Sequence, residues 1–216
     1  MNIIIFGPPG AGKGTQADSL VKKFDLLKVS TGDLLRKEIN KGTKLGMEIN
    51  SIISQGSFVK DDIINHLIKN IISNPINQNR MIFDGYPRNL NQAKELQVLL
   101  DKYNQKIHSV ISLNVDREII VKRILGRIVC SNCGLTFNKF FNPPKKLNHK
   151  CETKYLVIRS DDNEKTIYTR YATYEKETLP ILNYYEKQNL LANINGMNKI
   201  DEIYKEIRQI MTSLKT

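Results

Sequence analysis

Asn2-Ile-Ile-Ile-Phe-Gly-Pro-Pro-Gly-Ala-Gly-Lys-Gly-Thr15 is the stretch whose reading decides the fold. The apolar run from Ile3 to Phe6 reads as a buried strand that stops at Gly7. A turn of Gly and Pro follows, and Lys13, Gly14 and Thr15 open a helical pattern. Strand, glycine loop and helix in that order make a phosphate-binding loop. Glycines let backbone N–H groups curl around an anion with no Cβ in the way. The helix start aims its dipole and its unpaired N–H groups at the same place. Lys13 adds a positive charge for the outer phosphates. One position departs from the pattern. A Ser or Thr is expected directly after the lysine, but Gly14 stands there, so Thr15 becomes the substitute hydroxyl.

Working outward, the apolar patches alternate with helical patterns. Thr15 to Phe24 repeats Ala17, Leu20, Val21 and Phe24 at helical spacing, and Leu26 to Val29 reads as a second strand. Ser30-Thr31-Gly32-Asp33 starts a helix, because such side chains cap exposed N–H groups. Gly42 and Gly46 punctuate two short helices, and a further helix opens at Asp61-Asp62 and stops at Asn74-Pro75. Met81 to Phe83 is a third strand ending at Asp84. Leu90 to Tyr103 is helical, Ile107 to Val115 is a fourth strand, and Asp116 caps a helix through Leu125. Residues 128–158 break the rhythm. Helical pattern returns near Asp161 and runs to Gln188, with Pro180 required to kink or split it. Leu190 to Ile194 is a fifth strand and Lys199 to Leu214 a last helix. Strands separated by helices predict an α/β protein: a P-loop NTPase-type parallel five-stranded sheet with helices on both faces. Two mobile inserts ride on it. The expected division is a core of 1–29, 60–125 and 164–216, an insert at 30–59 and another at 126–163.

With 216 residues there is room for one core of ordinary size with small inserts. No window offers about 18 consecutive apolar residues, which argues against a membrane span. The N-terminal apolar run is too short for a signal peptide and leads straight into the P-loop. A cytoplasmic protein is the expectation. The net charge of +11 fits a polyanionic partner, yet no block of five or more basic residues occurs, so it reads as composition bias around a nucleotide site. Three cysteines argue against a disulfide framework and leave metal binding or packing.

The residues that carry chemistry lie at the strand ends. Asp84 occupies the place of a carboxylate that serves a magnesium ion through water. The bland alternative is a helix cap. Arg88 follows a Tyr-Pro turn, and its planar fork suits a phosphate. Arg123 and Arg127, four apart, are read as sharing a helix face. Arg159 and Arg170, eleven apart, are close to three helical turns. Each arginine by itself is a solvated charge; as a set beside a P-loop they form a cage for several phosphates. No general base stands out. A phosphate acceptor is already ionised and needs none, so catalysis reduces to holding two anions in line and neutralising charge.

Gly7 to Thr15, Ser30-Thr-Gly-Asp-Leu-Leu-Arg36, Phe83-Asp-Gly-Tyr-Pro-Arg88 with Gln92, Gly126-Arg127 and Arg159-Ser-Asp-Asp162 occur in order along nearly the whole chain. Together they resemble the adenylate kinase family in its long form, the Gly14 departure included. The resemblance implies ATP + AMP ⇌ 2 ADP with magnesium, with 126–163 as a lid over ATP and 30–59 as a flap over AMP. It implies that Gly10, Ala11, Gly12, Lys13, Gly14 and Thr15 hold the ATP phosphates. Arg127, Thr136, Phe137 and, through its backbone, Asn198 would meet the rest of ATP. Thr31, Arg36, Ser57, Phe58 and Val59 would contact AMP, Gly85, Tyr86, Pro87 and Arg88 would flank its phosphate, and Gln92 would read the adenine edge. Arg123, Arg159 and Arg170 would close on the phosphates, with Lys13 and Arg88 in the catalytic group. The expected partners are ATP, AMP and ADP, with no nucleic acid and no membrane, and the expected state is a monomer.

Cys130-Ser-Asn-Cys133 is half of a zinc knuckle. Cys151 supplies a third sulfur, and His149 and Glu152 are both candidate fourth ligands. Asn148 has the spacing but poor ligand chemistry, and Lys154 sits where a following partner would be. The alternative is a lid held by packing with three thiols. Two rival functions stay in view. One is a kinase for another monophosphate such as UMP, CMP or GMP. The other is a zinc-ribbon nucleic-acid binder using Phe137, Phe140 and Phe141 with Lys139, Lys145 and Lys146.

Overall fold

Ile3, Ile4 and Ile5 are each buried, and they alternate between two separate apolar clusters. A strand whose successive side chains both need a core must lie inside a sheet covered on both faces. The computed structural model shows this. It describes residues 1–55, 57, 59–145 and 149–214; the readings placed on Phe58, Lys146 and Asn148 lie outside the described residues. Strand β1 (Asn2–Phe6) is central to a parallel sheet with β2 (Leu27–Ser30), β3 (Met81–Asp84), β4 (Ile107–Asn114) and a fifth edge strand, Leu191–Asn195. The order is β2-β3-β1-β4 and then that edge strand. The chain leaves β1 toward one side for β2 and β3 and toward the other for β4, so the strand order reverses at β1. That reversal opens a crevice at the carboxyl ends. Ile5 and Ser30 both stand level with Asp84. The P-loop, the Ser30 corner and Asp84 therefore share one edge.

Helices α1 (Lys13–Phe24), α2 (Thr31–Asn40), α3 (Lys44–Ser54), α4 (Asp61–Ile72), α5 (Leu90–Lys102) and α6 (Arg117–Leu125) follow the strands. Their starts are chemically marked. Ser30 accepts from Asp33 N at 3.3 Å, and Asn89 accepts from Gln92 N at 2.8 Å. Asp116 stands at the N-cap position of α6 without a side-chain cap bond. A small antiparallel sheet follows: β5 (Arg127–Cys130) lies between β6 (Thr136–Asn138) and β7 (Leu156–Val157). Helices α7 (Glu164–Thr173) and α8 (Leu179–Glu186), the edge strand β8 (Leu191–Asn195) and α9 (Ile200–Ser213) complete the chain.

Three expectations are corrected. Arg123 and Arg127 do not share a helix: α6 ends at Leu125 and Arg127 opens β5. Arg159 and Arg170 are not in one helical register either, since α7 begins at Glu164 under an Asn163 cap. Gly46 does not end a helix; it lies inside α3, where a Cβ would come within 2.6 Å of Glu38 O, so it lets α2 and α3 pack closely. Pro180 is absorbed by a π-helical turn, Tyr174–Thr178, between α7 and α8. There the Leu179 N–H reaches Tyr174 O, and the wider turn makes room for a ring that would strike the preceding carbonyl of an α-helix.

Candidate active site

The P-loop starts where β1 ends. Gly10 and Gly12 have φ of 82° and 98°, values that an L side chain resists, and a Cβ on Gly10 would approach Ile124 to 2.7 Å. Gly12 caps α1 without a side-chain bond, so the first N–H groups of the helix face the crevice. Lys13 folds over the loop and donates to Gly7 O at 2.6 Å and Pro8 O at 2.9 Å. Burial pushes its ammonium down to about 8, Asp84 works against that, and Arg88, Arg170 and Arg127 add to it.

A cleft of about 310 Å³ lies above the sheet. Gly10 to Thr15 form its floor, and Asp84, Gly85, Pro87 and Arg88 form one wall. Arg36, Ser57 and Val59 enter from the α2–α4 side. Arg123, Arg127, Thr136, Phe137, Arg159 and Arg170 enter from the other. Arg123 donates to Ala11 O at 3.2 Å, which ties α6 to the P-loop. Arg127 pairs bidentately with Asp162, and Arg170 donates to Asp161 at 2.7 Å. The two acidic residues hold the arginines at the rim. Burial lowers Arg88 to about 10, with Arg170 next among the causes, and lowers Arg159 to about 10, with Arg127 next. So many cations pressed together depress one another and favour an anion of several charges.

Arg88 is clamped. Its Nε donates to Gly85 O at 2.8 Å, its backbone N–H donates to Gln92 Oε1 at 2.8 Å, and its carbonyl accepts from Thr178 at 2.8 Å. Thr31 does not line the cleft; it donates to Gly85 O at 2.7 Å and supports the same turn. Gln92 is buried, and its amide is shared between Arg88 N and Asp61, 2.6 Å away. Tyr86 is in the core, with its hydroxyl donating to Asn65 at 2.8 Å. Asn198 lies off the cleft in the turn after β8, where it accepts from Asn195 at 3.3 Å.

Asp33 and Asp84 both line the cleft, and their hard carboxylate oxygens suit magnesium. A second set lies in the small sheet. The ligand atoms of Cys130, Cys133, His149 and Cys151 all fall within 4.8 Å of one another. The buried His149 Nε2 has no hydrogen-bond partner among the described residues. Its ring is wedged against Phe137, with centroids 5.0 Å apart. Burial works against a Cys130 thiolate, but the Cys133 N–H and His149 outweigh it and bring the thiol down to about 6. Three sulfurs and an imidazole gathered this closely, with His149 Nε2 unpartnered among the described residues, fit zinc. Glu152 is engaged elsewhere, 3.0 Å from Lys154, so of the two candidates His149 completes the group.

Comparison with known proteins agrees with this geometry. A family model described as adenylate kinase matches residues 5–190. The chain belongs to the adenylate kinase family. It is 47% identical to an adenylate kinase of Pelagibacter ubique over 211 residues, which cover 98% of this chain and 99% of that protein. It is 44% identical to one of Chloroherpeton thalassium over 218 residues, with 99% of each covered. It is 41% identical to one of Methanosarcina barkeri over 213 residues, with 98% of each covered. For this adenylate kinase family member, reading the sequence missed Lys28, Asp161, Asp162 and Thr178 as parts of the site. Lys28 and Thr178 stand in no quoted motif, and Asp161 and Asp162 stand in the Arg159–Asp162 motif without having been given a role of their own. They arrive through β2 register, a loop and a π turn.

Proposed function

We propose that the chain catalyses the magnesium-dependent reaction ATP + AMP ⇌ 2 ADP. The convergence of Lys13, Arg36, Arg88, Arg123, Arg127, Arg159 and Arg170 on one cleft carries this reading. Two anionic phosphate chains repel each other, and this ring of cations offsets the repulsion while holding the reacting atoms in line. The P-loop residues Gly10 to Thr15 bind the donor phosphates, with Arg127, Thr136, Phe137 and Asn198 toward the donor nucleoside. Arg36, Ser57, Val59 and the Gly85–Arg88 turn bind the acceptor, with Thr31 beneath the turn and Gln92 turning its amide from Asp61 to the adenine edge. Lys13 leaves its two loop carbonyls to follow the phosphates. Arg127 and Arg170 exchange Asp162 and Asp161 for phosphate oxygens as residues 126–163 close over the donor and 30–59 over the acceptor. Closure excludes water from the transferred group.

Magnesium arriving with ATP supplies further neutralisation of the phosphate oxygens, and Asp84 and Asp33 would hold its water shell. Cys130, Cys133, His149 and Cys151 would hold zinc, a cross-link for a sheet too small to build its own core. Among the described residues no helix is long and apolar enough to cross a membrane. Cytoplasmic residence and a monomeric state belong to the same proposal, and light scattering checks the latter. The deciding assay is ADP formation from ATP with AMP, CMP, UMP or GMP in turn. Turnover with AMP above the others is expected. Equal turnover with CMP or UMP would move the reading to another monophosphate kinase.

A further inference from the structure

Lys28 lies on β2 with its ammonium among carboxylates from three elements. It is 2.8 Å from Asp18 on α1, 3.9 Å from Asp33 on α2 and 4.0 Å from Asp84 at the end of β3. Lys28, Asp33 and Asp84 line the cleft. A Cβ on Gly14 would lie 3.4 Å from Asp84 Oδ2 and 3.6 Å from Lys28 Nζ. The ammonium and the strand-end carboxylate thus both rest against the bare face of Gly14, where a P-loop ordinarily carries a hydroxyl. Arg36 also donates to Asp33, at 2.6 Å. The carboxylates suited to a divalent ion therefore already have a cation beside them, tethered by Asp18.

We propose that Lys28 is a built-in cation that guards Asp33 and Asp84, disfavouring a bare divalent ion and admitting one that enters with its nucleotide. This rests on the kinase reading above. A fixed positive charge about 4 Å from both carboxylates opposes a second cation there. The phosphates of an incoming nucleotide offset that opposition, while Lys28 stays tethered to Asp18. Asp18 sets the resting place: with it, the ammonium leans away from the pair; without it, the ammonium has only Asp33 and Asp84. Lys28 is a positioning residue and need not touch the transferred group.

The test titrates Mn²⁺ into the full-length, nucleotide-free protein and reads unbound Mn²⁺ by electron paramagnetic resonance. Lys28→Met is expected to tighten binding about fivefold or more, since a neighbouring like charge is removed. Lys28→Arg should stay within about twofold of the parent. Asp18→Asn should weaken binding, the opposite sign. A Lys28 that acted only through packing would not tighten binding in Lys28→Met while leaving Lys28→Arg near the parent. Unchanged or weaker Mn²⁺ binding in Lys28→Met overturns the proposal, and so does tighter binding in Asp18→Asn; the latter keeps the test open if Lys28→Met fails to fold. The parent is assayed in parallel for ADP formation from ATP and AMP. Activity there with no shift in Mn²⁺ affinity sinks only the Lys28 proposal. Absence of activity sinks the kinase reading, while the titration still decides the guard.

Discussion

Lys13 is a cation in a site that resists it. Its buried ammonium sits near 8, against an ordinary 10.5, so in the free protein it loses its proton just above neutrality. Bound phosphate favours the charged form. ATP binding should therefore take up a proton above about pH 8, and its Kd should rise by up to ~tenfold per pH unit there. Calorimetry in two buffers of different ionisation enthalpy measures the uptake, and Lys13→Met should be flat across the window. The folded state carries the lower value, so the unfolded chain binds more protons between about 8 and 10.5, and this group makes stability of the nucleotide-free protein rise with pH there. Arg88 makes a different prediction. Its charge is used as the phosphoryl group moves, so Arg88→Ala should cut kcat by roughly 10²–10³-fold while ATP affinity changes far less. Equal losses in steady-state turnover and in equilibrium ATP binding would remove it from that role.

At the scale of elements, the small sheet and the π turn each hang on few contacts. The three strands of the small sheet are short, and their largest buried ring, Phe137, packs on His149. If zinc ties Cys130, Cys133, His149 and Cys151, elemental analysis should give one zinc per chain. Chelation or His149→Ala should then lower Tm by about 5 °C or more, as the loss of a few kcal/mol does in a chain of this size. Glu152→Gln should leave both values alone. The π turn places Thr178 so that its hydroxyl donates to Arg88 O at 2.8 Å. Thr178→Val keeps the shape and removes the donor from a buried spot. A loss of about 1 kcal/mol in denaturant unfolding is expected, together with lower turnover as the arginine loosens. The sequence announced Pro180 as an interruption. It could not show that the accommodation would be a wider turn aimed at Arg88, because that depends on the loop packed against it.

At the scale of the molecule, the cleft draws its walls from both inserts and from the core. Arg127 and Arg170 are held at the rim by Asp162 and Asp161, in place of the phosphates they would serve. Binding a bisubstrate analogue that joins ATP and AMP should therefore draw residues 30–59 and 126–163 together. Small-angle scattering should record a smaller radius of gyration, and an unchanged radius would count against closure. Gly126 packs tightly at the entry to the small sheet, where a Cβ would lie 2.7 Å from both Asn138 Oδ1 and a Phe140 ring carbon. A larger side chain there should strain that junction.

Local chemistry was legible in the chain itself. Ile3 to Phe6 read as a buried strand, the glycines and Lys13 as an anion loop, and alternating strands and helices imply a parallel sheet. The resemblance then named the family and most of the cleft. What depended on folding was every pairing across the chain. Arg123 and Arg127 meet in the cleft from different elements, and Arg159 and Arg170 do so through a loop, although sequence spacing had put each pair on a helix. His149, and not Glu152, gathers with the cysteines, a choice that sequence spacing left open and the fold decides. Lys28 and its three carboxylates come from β2, α1, α2 and β3, and nothing in their spacing foretells the meeting. Period and composition act over a few residues, so a sequence displays them; a cation among carboxylates from separate elements exists only once the sheet has set its register.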